Sequence, residues 1–261
     1  MTGRQTADDF FTEFDAAFYT DGYNIASKCL SGGLSKKNML EICKQLYDSI
    51  DQLNISFINQ CSKKNLSVDC RKGCSWCCHQ SVFVVPYEVF YIMHYIDIDL
   101  LPDMREGISK TAAAKNSRTG KMKMQQLLHY REACPLLDNF GQCIAYNARP
   151  MACRIYLSSD VSTCRDDFEN PDDLNHFPSL YEFPLRAGRM LNEGVCTYLN
   201  EKNIISFEWT LESSLHKIFE DKQAFRKWSE GVNLFKARDV GFEEFEYLQR
   251  FEIIRGGNHA R

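Results

Sequence analysis

Eight of the twelve cysteines in this 261-residue chain stand in two compact groups. Thiolates grouped in this way serve as metal ligands or redox centres. The first group, CRKGCSWCCHQ, places Cys70, Cys74, Cys77 and Cys78 within nine residues. Read as a helix, offsets of 0, 4, 7 and 8 bring all four thiols to one face. Read as a loop, which Gly73 favours, the same segment points Cys77 and Cys78 in different directions, towards different sites. Cysteines at helical offsets also suit a plain amphipathic helix, but Val, Leu or Ala would pack there without the oxidation hazard. Only Cys74 and Cys77 have the two-residue spacing usual in zinc knuckles. Four thiolates hold iron–sulfur clusters as well, so spacing leaves zinc and a 4Fe–4S cluster both open. His79, directly after the group, is a candidate ligand through either ring nitrogen or a support for the ligands. Arg71 and Lys72 either screen thiolate charge or are simply solvated.

The second group, CPLLDNFGQCIAYNARPMACRIYLSSDVSTC, carries Cys134, Cys143, Cys153 and Cys164, separated by eight, nine and ten residues. Such loops have no signature alone; their force comes from the partner group upstream. Asp138–Gly141 is expected to form a turn that folds Cys134 back towards Cys143. Arg149–Pro150 stops any preceding helix and presents Cys153 on a fresh turn. Arg149 and Arg154 flank the site. A four-thiolate zinc site carries two excess negative charges, so these arginines are expected to bond a sulfur or a buried carboxylate.

Composition narrows the setting. Hydrophobic residues at 44% and charged residues at 25% are ordinary globular values, and 261 residues suffice for a core without a metal or disulfide to replace it. A net charge of −4 gives no general attraction to nucleic acid or to an anionic membrane. No apolar run approaches the roughly 20 residues of a membrane span, and MTGRQTADDFF has an acidic pair where an export signal needs a basic stretch. The expectation is a cytoplasmic protein that binds neither nucleic acid nor membrane. In that reducing compartment clustered thiols favour metal over disulfides. The scattered Cys29, Cys43, Cys61 and Cys196 are expected to be buried or free thiols.

The elements that must position the two groups are mostly helical. Thr6 and Asp9 can cap a helix bearing Phe10, Phe14 and Phe18. Asn38 and Glu41 make a second capping pattern, followed by a face of Leu40, Cys43, Leu46, Tyr47, Ile50 and Leu53 up to about Cys61. SVFVV is too short to classify. Pro86 with Glu88 opens a helix to Tyr95. Residues 103–131 form a polar helix or helix pair with Gly120 as a possible break, and residues 165–184 are irregular. Beyond them Trp209, Leu215, Ile218, Phe219, Phe225, Trp228, Phe235, Phe242, Phe245, Leu248 and Phe251 anchor further helices, before a frayed RGGNHAR end. No strand–helix alternation supports a doubly wound sheet or a barrel. The fold expected is mainly α: a helical scaffold with two cysteine-rich metal-binding loops and little or no sheet. Along the chain it divides into N-terminal helices (1–65), a cysteine-cluster domain (66–165) and a C-terminal helical region (166–261), packed as one compact unit.

Cys70-x3-Cys74-x-Trp76-Cys77 is similar to the pattern with which radical S-adenosylmethionine enzymes hold a 4Fe–4S cluster, although the repeated strand–helix units of that fold are missing. The fuller combination of CRKGCSWCC, PYEVFYI and CPLLDNFGQCIAYNARPMACRIY resembles the YkgJ-type cysteine-cluster family, a zinc- or iron-chelating domain with eight characteristic cysteines. The resemblance covers residues 70–164 and implies Cys70, Cys74, Cys77, Cys78, Cys134, Cys143, Cys153 and Cys164 as ligands. Leu157 departs from the proline that commonly follows the Cys-Arg-x-Tyr run. More distantly the cluster is similar to that of flagellin lysine N-methylases. That likeness implies an iron–sulfur centre used with S-adenosylmethionine to methylate a lysine of a protein substrate. No glycine-rich nucleotide loop supports it: LSGGLS lacks a preceding strand, and RGGNHA lies at the chain end. A third reading is an adaptor for a protein partner with a purely structural metal. No hydrolase, kinase, P-loop or zinc-protease motif is present.

Overall fold

A computed structural model of the chain describes residues 7–173 and 177–234, with side chains from residue 13 onward. The cap at Thr6, the Phe10 side chain and the anchors from Phe235 to Phe251 lie outside the described residues. Among those described there are ten α-helices and four strands of two or three residues, so the fold is mainly α. In chain order these are α1 (Ala7–Cys29), α2 (Lys36–Lys63), β1 (Phe83–Val84), α3 (Pro86–Asp99), α4 (Pro102–Thr119) and α5 (Met124–His129). There follow α6 (Met151–Arg154), β2 (Ser158–Asp160), α7 (Val161–Glu169), β3 (Ser179–Leu180), α8 (Glu182–Glu201), β4 (Trp209–Thr210), α9 (Leu211–Glu220) and α10 (Ala224–Ser229).

The long helices pack α1 against α8, α2 against α8 and α3, and α4 against α9. The α1–α8 crossing is unusually close. A Cβ at Gly194 would stand 2.1 Å from the Tyr19 carbonyl oxygen and 2.6 Å from the Tyr23 nitrogen. Only glycine allows that approach, and the Tyr23 and Tyr198 rings meet edge-on beside it at 5.3 Å. One apolar core runs from Ala26 through Met39, Ile42, Leu46 and Ile50 to Tyr87, Ile155, Leu191 and Trp228. It therefore draws on all three stretches of the chain. A second core joins α3, α4 and α9 through Ile92, Ile96, Ile108, Ala112, Leu211 and Leu215, and Cys134 and Cys143 pack on its edge.

Local signals account for most boundaries. The α2 cap is Ser35, whose Oγ accepts from Asn38 N–H at 3.2 Å; this is one turn before the expected Asn38/Glu41 pattern. Glu88 Oε2 accepts from Val85 N–H at the start of α3, and α4 stops at Gly120. SVFVV yields β1, paired antiparallel to β4 in the register Phe83↔Thr210 and Val84↔Trp209. The stretch from residue 165 is less irregular than expected. Asp160 Oδ1 accepts from Ser162 N–H at 2.8 Å and starts α7, and β2 pairs with β3 just before α8. Among the described residues no helix is long and apolar enough to cross a membrane.

Candidate metal centre

The first cysteine segment is a loop, not a continuous helix. Gly73 has a φ of +91°, a left-handed conformation that side-chain-bearing residues disfavour, and it turns the chain between Cys70 and Cys74. A short 3-10 turn, Trp76–His79, then carries Cys77 and Cys78. Neighbouring side chains leave an ideal turn of this kind about 120° apart, yet the Cys77 and Cys78 thiols hydrogen-bond each other, so they do not point to separate places as the loop reading expects.

Backbone bonds stitch Cys78 to the second group. Cys134 N–H donates to the Cys78 carbonyl and Glu132 N–H to the His79 carbonyl, each at 2.8 Å. The expected turn at Asp138–Gly141 is present. Asp138 Oδ1 accepts from Phe140 and Gln142 N–H at 2.8 Å, and an antiparallel bridge between Leu137 and Cys143 closes the hairpin. This returns Cys143 to the side of Cys134. Arg149–Pro150 ends the preceding 3-10 turn as anticipated, and Cys153 sits on α6.

Two contacts fix α6. The buried carboxylate of Glu88 accepts from Met151 N–H at 2.7 Å and from the Tyr47 hydroxyl at 3.1 Å. On the opposite side a Cβ at Gly188 of α8 would stand 2.2 Å from an Ile155 methyl and 2.9 Å from Met151 Sδ, so α8 presses directly on the segment that bears Cys153. Burial pushes the Glu88 carboxyl up to about 7, against the downward pull of those hydrogen bonds.

Cys70 and Cys164 are brought together elsewhere. Ser158 N–H donates to Cys70 Sγ at 3.1 Å, and Cys70 Sγ donates to the Tyr156 carbonyl at 3.3 Å. The Ser158 side chain hydrogen-bonds Cys164, which lies on α7 and not in a loop. Asp69 ties the ends of this arrangement: its N–H donates to Ser158 O at 2.9 Å, and its Oδ2 accepts from Val161 N–H at 3.0 Å. Asp167, buried on α7, accepts from Gln80 at 2.8 Å and from Arg131 at 3.2 Å, which clamps the two cysteine segments to each other.

Seven of the eight thiols are shifted by these surroundings. Burial pushes Cys134 up to about 12 and Cys143 up to about 11, and each is raised further by Cys78. Burial, then the charges of Cys134, Cys78 and Cys143, push Cys153 well up. Cys70 is raised by burial and by Cys164 and Cys74, and Cys164 by burial and by Cys74. Cys77 stands at the boundary. Its bond to Cys78 and then burial push it up, and it feels the charges of Cys78, Cys153 and, least, Cys70. The same bond holds the Cys78 thiol below its ordinary value.

All twelve cysteines are free thiols. Among the described residues no group of three or more Cys, His, Asp or Glu side chains is placed closely enough to hold a metal ion. Ligands must be thiolates, whereas burial keeps most of these thiols protonated, so ligation requires the sulfurs to lose protons and draw in. The donor set nonetheless suits zinc or an iron–sulfur cluster, both of which take four thiolates.

The flanking residues divide. Arg149 stacks on the Tyr146 ring at 4.1 Å, and its charge pulls down the Cys143 and Cys153 thiols against burial. Arg154 bonds no sulfur: it is buried, paired with Asp51, stacked on the Tyr47 ring at 4.0 Å, and donates to the Arg149 carbonyl at 2.8 Å. Its carboxylate partner is half-exposed, not buried. The His79 ring lies against Phe168 at 4.9 Å, with Nδ1 3.0 Å from the Ser75 carbonyl. Lys115 was not singled out from the sequence. Almost wholly buried on α4, it donates to the carbonyls of Glu132 at 2.9 Å and Ala133 at 3.4 Å, and its charge pulls Cys134 down. A lysine inside a polar helix carries no mark of burial, so only the packing of α4 reveals it.

Comparison with known families bears directly on this arrangement. Residues 69–176 match the CxxCxxCC family model. That family is described as a "putative zinc- or iron-chelating domain". The CxxCxxCC segment begins at Asp69, contains all eight grouped cysteines and runs past α7. Its description supports chelation of zinc or iron by this part of the chain. No curated protein and no solved structure gives a match, and the likeness to flagellin lysine N-methylases gains nothing from these comparisons.

Proposed function

We propose that this protein is a metal chelator whose CxxCxxCC segment holds zinc or a 4Fe–4S cluster through Cys70, Cys74, Cys77, Cys78, Cys134, Cys143, Cys153 and Cys164. One observation carries the reading. Thiols from the 70–78 loop, the 134–143 hairpin, α6 and α7 lie in one another's electrostatic field and are held there by bonds between the segments. Half-buried, mutually repelling thiols gain nothing as packing that valine would not supply. As thiolates around a cation, their repulsion is offset. Lys115 and Arg149 would balance part of the excess negative charge, while Glu88, Gly188 and Asp167 hold the supporting elements. Bound zinc would supply a structural cross-link, commonly worth about 10–16 kcal/mol in small zinc domains; an iron–sulfur cluster would add electron transfer. A methyl-transfer or adaptor role would each require a further site, for S-adenosylmethionine or for a protein partner, and neither carries this proposal.

Protein purified without exposure to oxygen tests it by metal and acid-labile sulfide analysis. Stoichiometric zinc in a colourless protein selects zinc; iron with equal sulfide in a brown protein selects the cluster. Neither metal, in protein that also fails to take up zinc or to accept a cluster on reconstitution, removes the proposal.

A further inference from the structure

A cleft of about 450 Å³ opens between the first turns of α2 and the middle of α3, and no residue of the two cysteine segments lines it. Its size is that of a small-molecule pocket. Lys36, Leu40 and Lys44 recur every four residues and so share one face of α2, with Lys37 beside them. Tyr91 and His94 face them from α3. Leu40 and the Tyr91 ring make an apolar wall, and that ring is half-buried and meets Tyr47 edge-on at 5.3 Å, which fixes its position.

The charges around the cleft do not serve the helix. Acids stabilise a first turn, where they meet the positive end of the helix dipole, yet α2 has none there and begins with two lysines. Ser35 caps the Asn38 amide, and the Lys36 and Lys37 amides ahead of it have no helical carbonyl to bond. Among the described residues Glu41 is the one carboxylate that lines the cleft, and its Oε1 accepts from Gln45 at 2.8 Å. Asp48 and Asp99 act on the Tyr91 hydroxyl from outside the lining. Among the described residues none of the three lysines is held in an ion pair. In a chain of net charge −4 this is a local excess of free cations against an apolar wall.

We infer that the cleft between α2 and α3 binds an organic phosphate of the nucleotide class, its phosphates on Lys36, Lys37 and Lys44 and its flat ring against Leu40 and Tyr91. Ammonium groups and helix-start amides both suit phosphate oxygens, and an aromatic side chain suits a base. A bare inorganic anion would leave the apolar wall unused. The site is separate from the chelating segment and adds a second ligand to the protein.

Calorimetric titration of the full chain with adenosine diphosphate and with inorganic pyrophosphate tests the inference, beside sedimentation with phosphatidylserine vesicles. The nucleotide should bind saturably, one per chain, more weakly as salt rises, and pyrophosphate should bind less tightly. Lys36→Gln/Lys37→Gln alters two exposed side chains and should weaken nucleotide binding by about 10–100-fold. Tyr91→Leu should bring it down to the level of pyrophosphate, whereas Lys121→Gln, at an exposed lysine on neither helix, should leave it unchanged. No saturable nucleotide binding overturns the inference and leaves chelation standing. Equal affinity for pyrophosphate in the unaltered chain overturns the ring contact, and it decides even where Tyr91→Leu does not fold. Vesicle capture without nucleotide binding gives the lysines to a lipid headgroup instead, and normal binding by the double lysine variant puts the nucleotide elsewhere; either result overturns the assignment.

Discussion

The carboxylate of Glu88 reaches across 63 residues of sequence to accept the Met151 amide at 2.7 Å, so α3 holds the first turn of the short helix that carries Cys153. The same carboxylate meets Tyr47 of α2, and Arg154, next to Cys153, stacks on that tyrosine ring. The position of one candidate ligand is therefore set by the packing of two long helices.

Glu88 also makes stability depend on pH. Its carboxyl, ordinarily near 4.5, is pushed up to about 7 by burial, so the folded state binds the proton more tightly than the unfolded state. The group's contribution is fully present below about pH 4.5 and is lost as pH rises through 7; the shift corresponds to a change on the order of 3 kcal/mol. Denaturant unfolding of the metal-free protein at pH 5 and pH 8 should show that decline. Glu88→Gln, which cannot ionise, should flatten it while lowering stability at pH 5. A variant whose stability falls as steeply as the unaltered protein's over this interval would rule the assignment out.

What the sequence discloses here is local chemistry. The Asp138–Gly141 turn, the stop at Arg149–Pro150 and the loop at Gly73 each depend on a few neighbouring residues and occur as expected; the divergence expected of Cys77 and Cys78 does not, because their thiols bond each other. Contacts between distant segments could not be read. Glu88 looks like an ordinary first-turn acid until Met151 is placed on it, and Lys115 like a solvated residue until α4 is laid against Ala133. The sulfur links through Ser158 need β2 and α7 to exist first, and α7 occupies part of a stretch whose polar, proline-containing sequence suggests irregular chain. Adjacency in the chain sets Arg154 beside the thiols, whereas its side chain turns towards α2.

Lys115 supplies a buried positive charge next to Cys134, and its removal should be felt as metal affinity. Lys115→Met keeps most of the volume and loses the charge. Support groups of this kind are commonly worth about 10–100-fold in metal affinity, so competition against a chelator of known strength should show a loss in that range. Unchanged affinity in a folded variant would mean that the ammonium serves only the Glu132 and Ala133 carbonyls.

Gly194 tests the scaffold separately from the thiols. A methyl group there would collide with the Tyr19 carbonyl and the Tyr23 nitrogen, and backbone cannot move aside as a flexible side chain can. Gly194→Ala should lower unfolding stability by about 1–3 kcal/mol or more, with the metal content of the remaining folded protein unchanged. A neutral effect on the denaturation midpoint would show that the α1–α8 crossing is looser than described.

Thiol reactivity supplies the remaining test. Alkylation takes the thiolate, so labelling order follows both ionisation and access. Cys78 is held low by the bond from Cys77, whereas burial raises its neighbours Cys134, Cys143 and Cys153. All four are half-buried side chains, so exposure alone does not set a clear order among them. Iodoacetamide applied briefly to the metal-free protein near pH 8, followed by peptide mass spectrometry, should label Cys78 ahead of the other three. Cys77→Ala should slow that labelling, because the bond that protects the Cys78 thiolate would be gone. Bound metal should protect all four. If Cys134 or Cys153 is labelled first, the Cys77–Cys78 bond does not control ionisation at this centre, and Cys78 is not the first ligand available to an incoming cation.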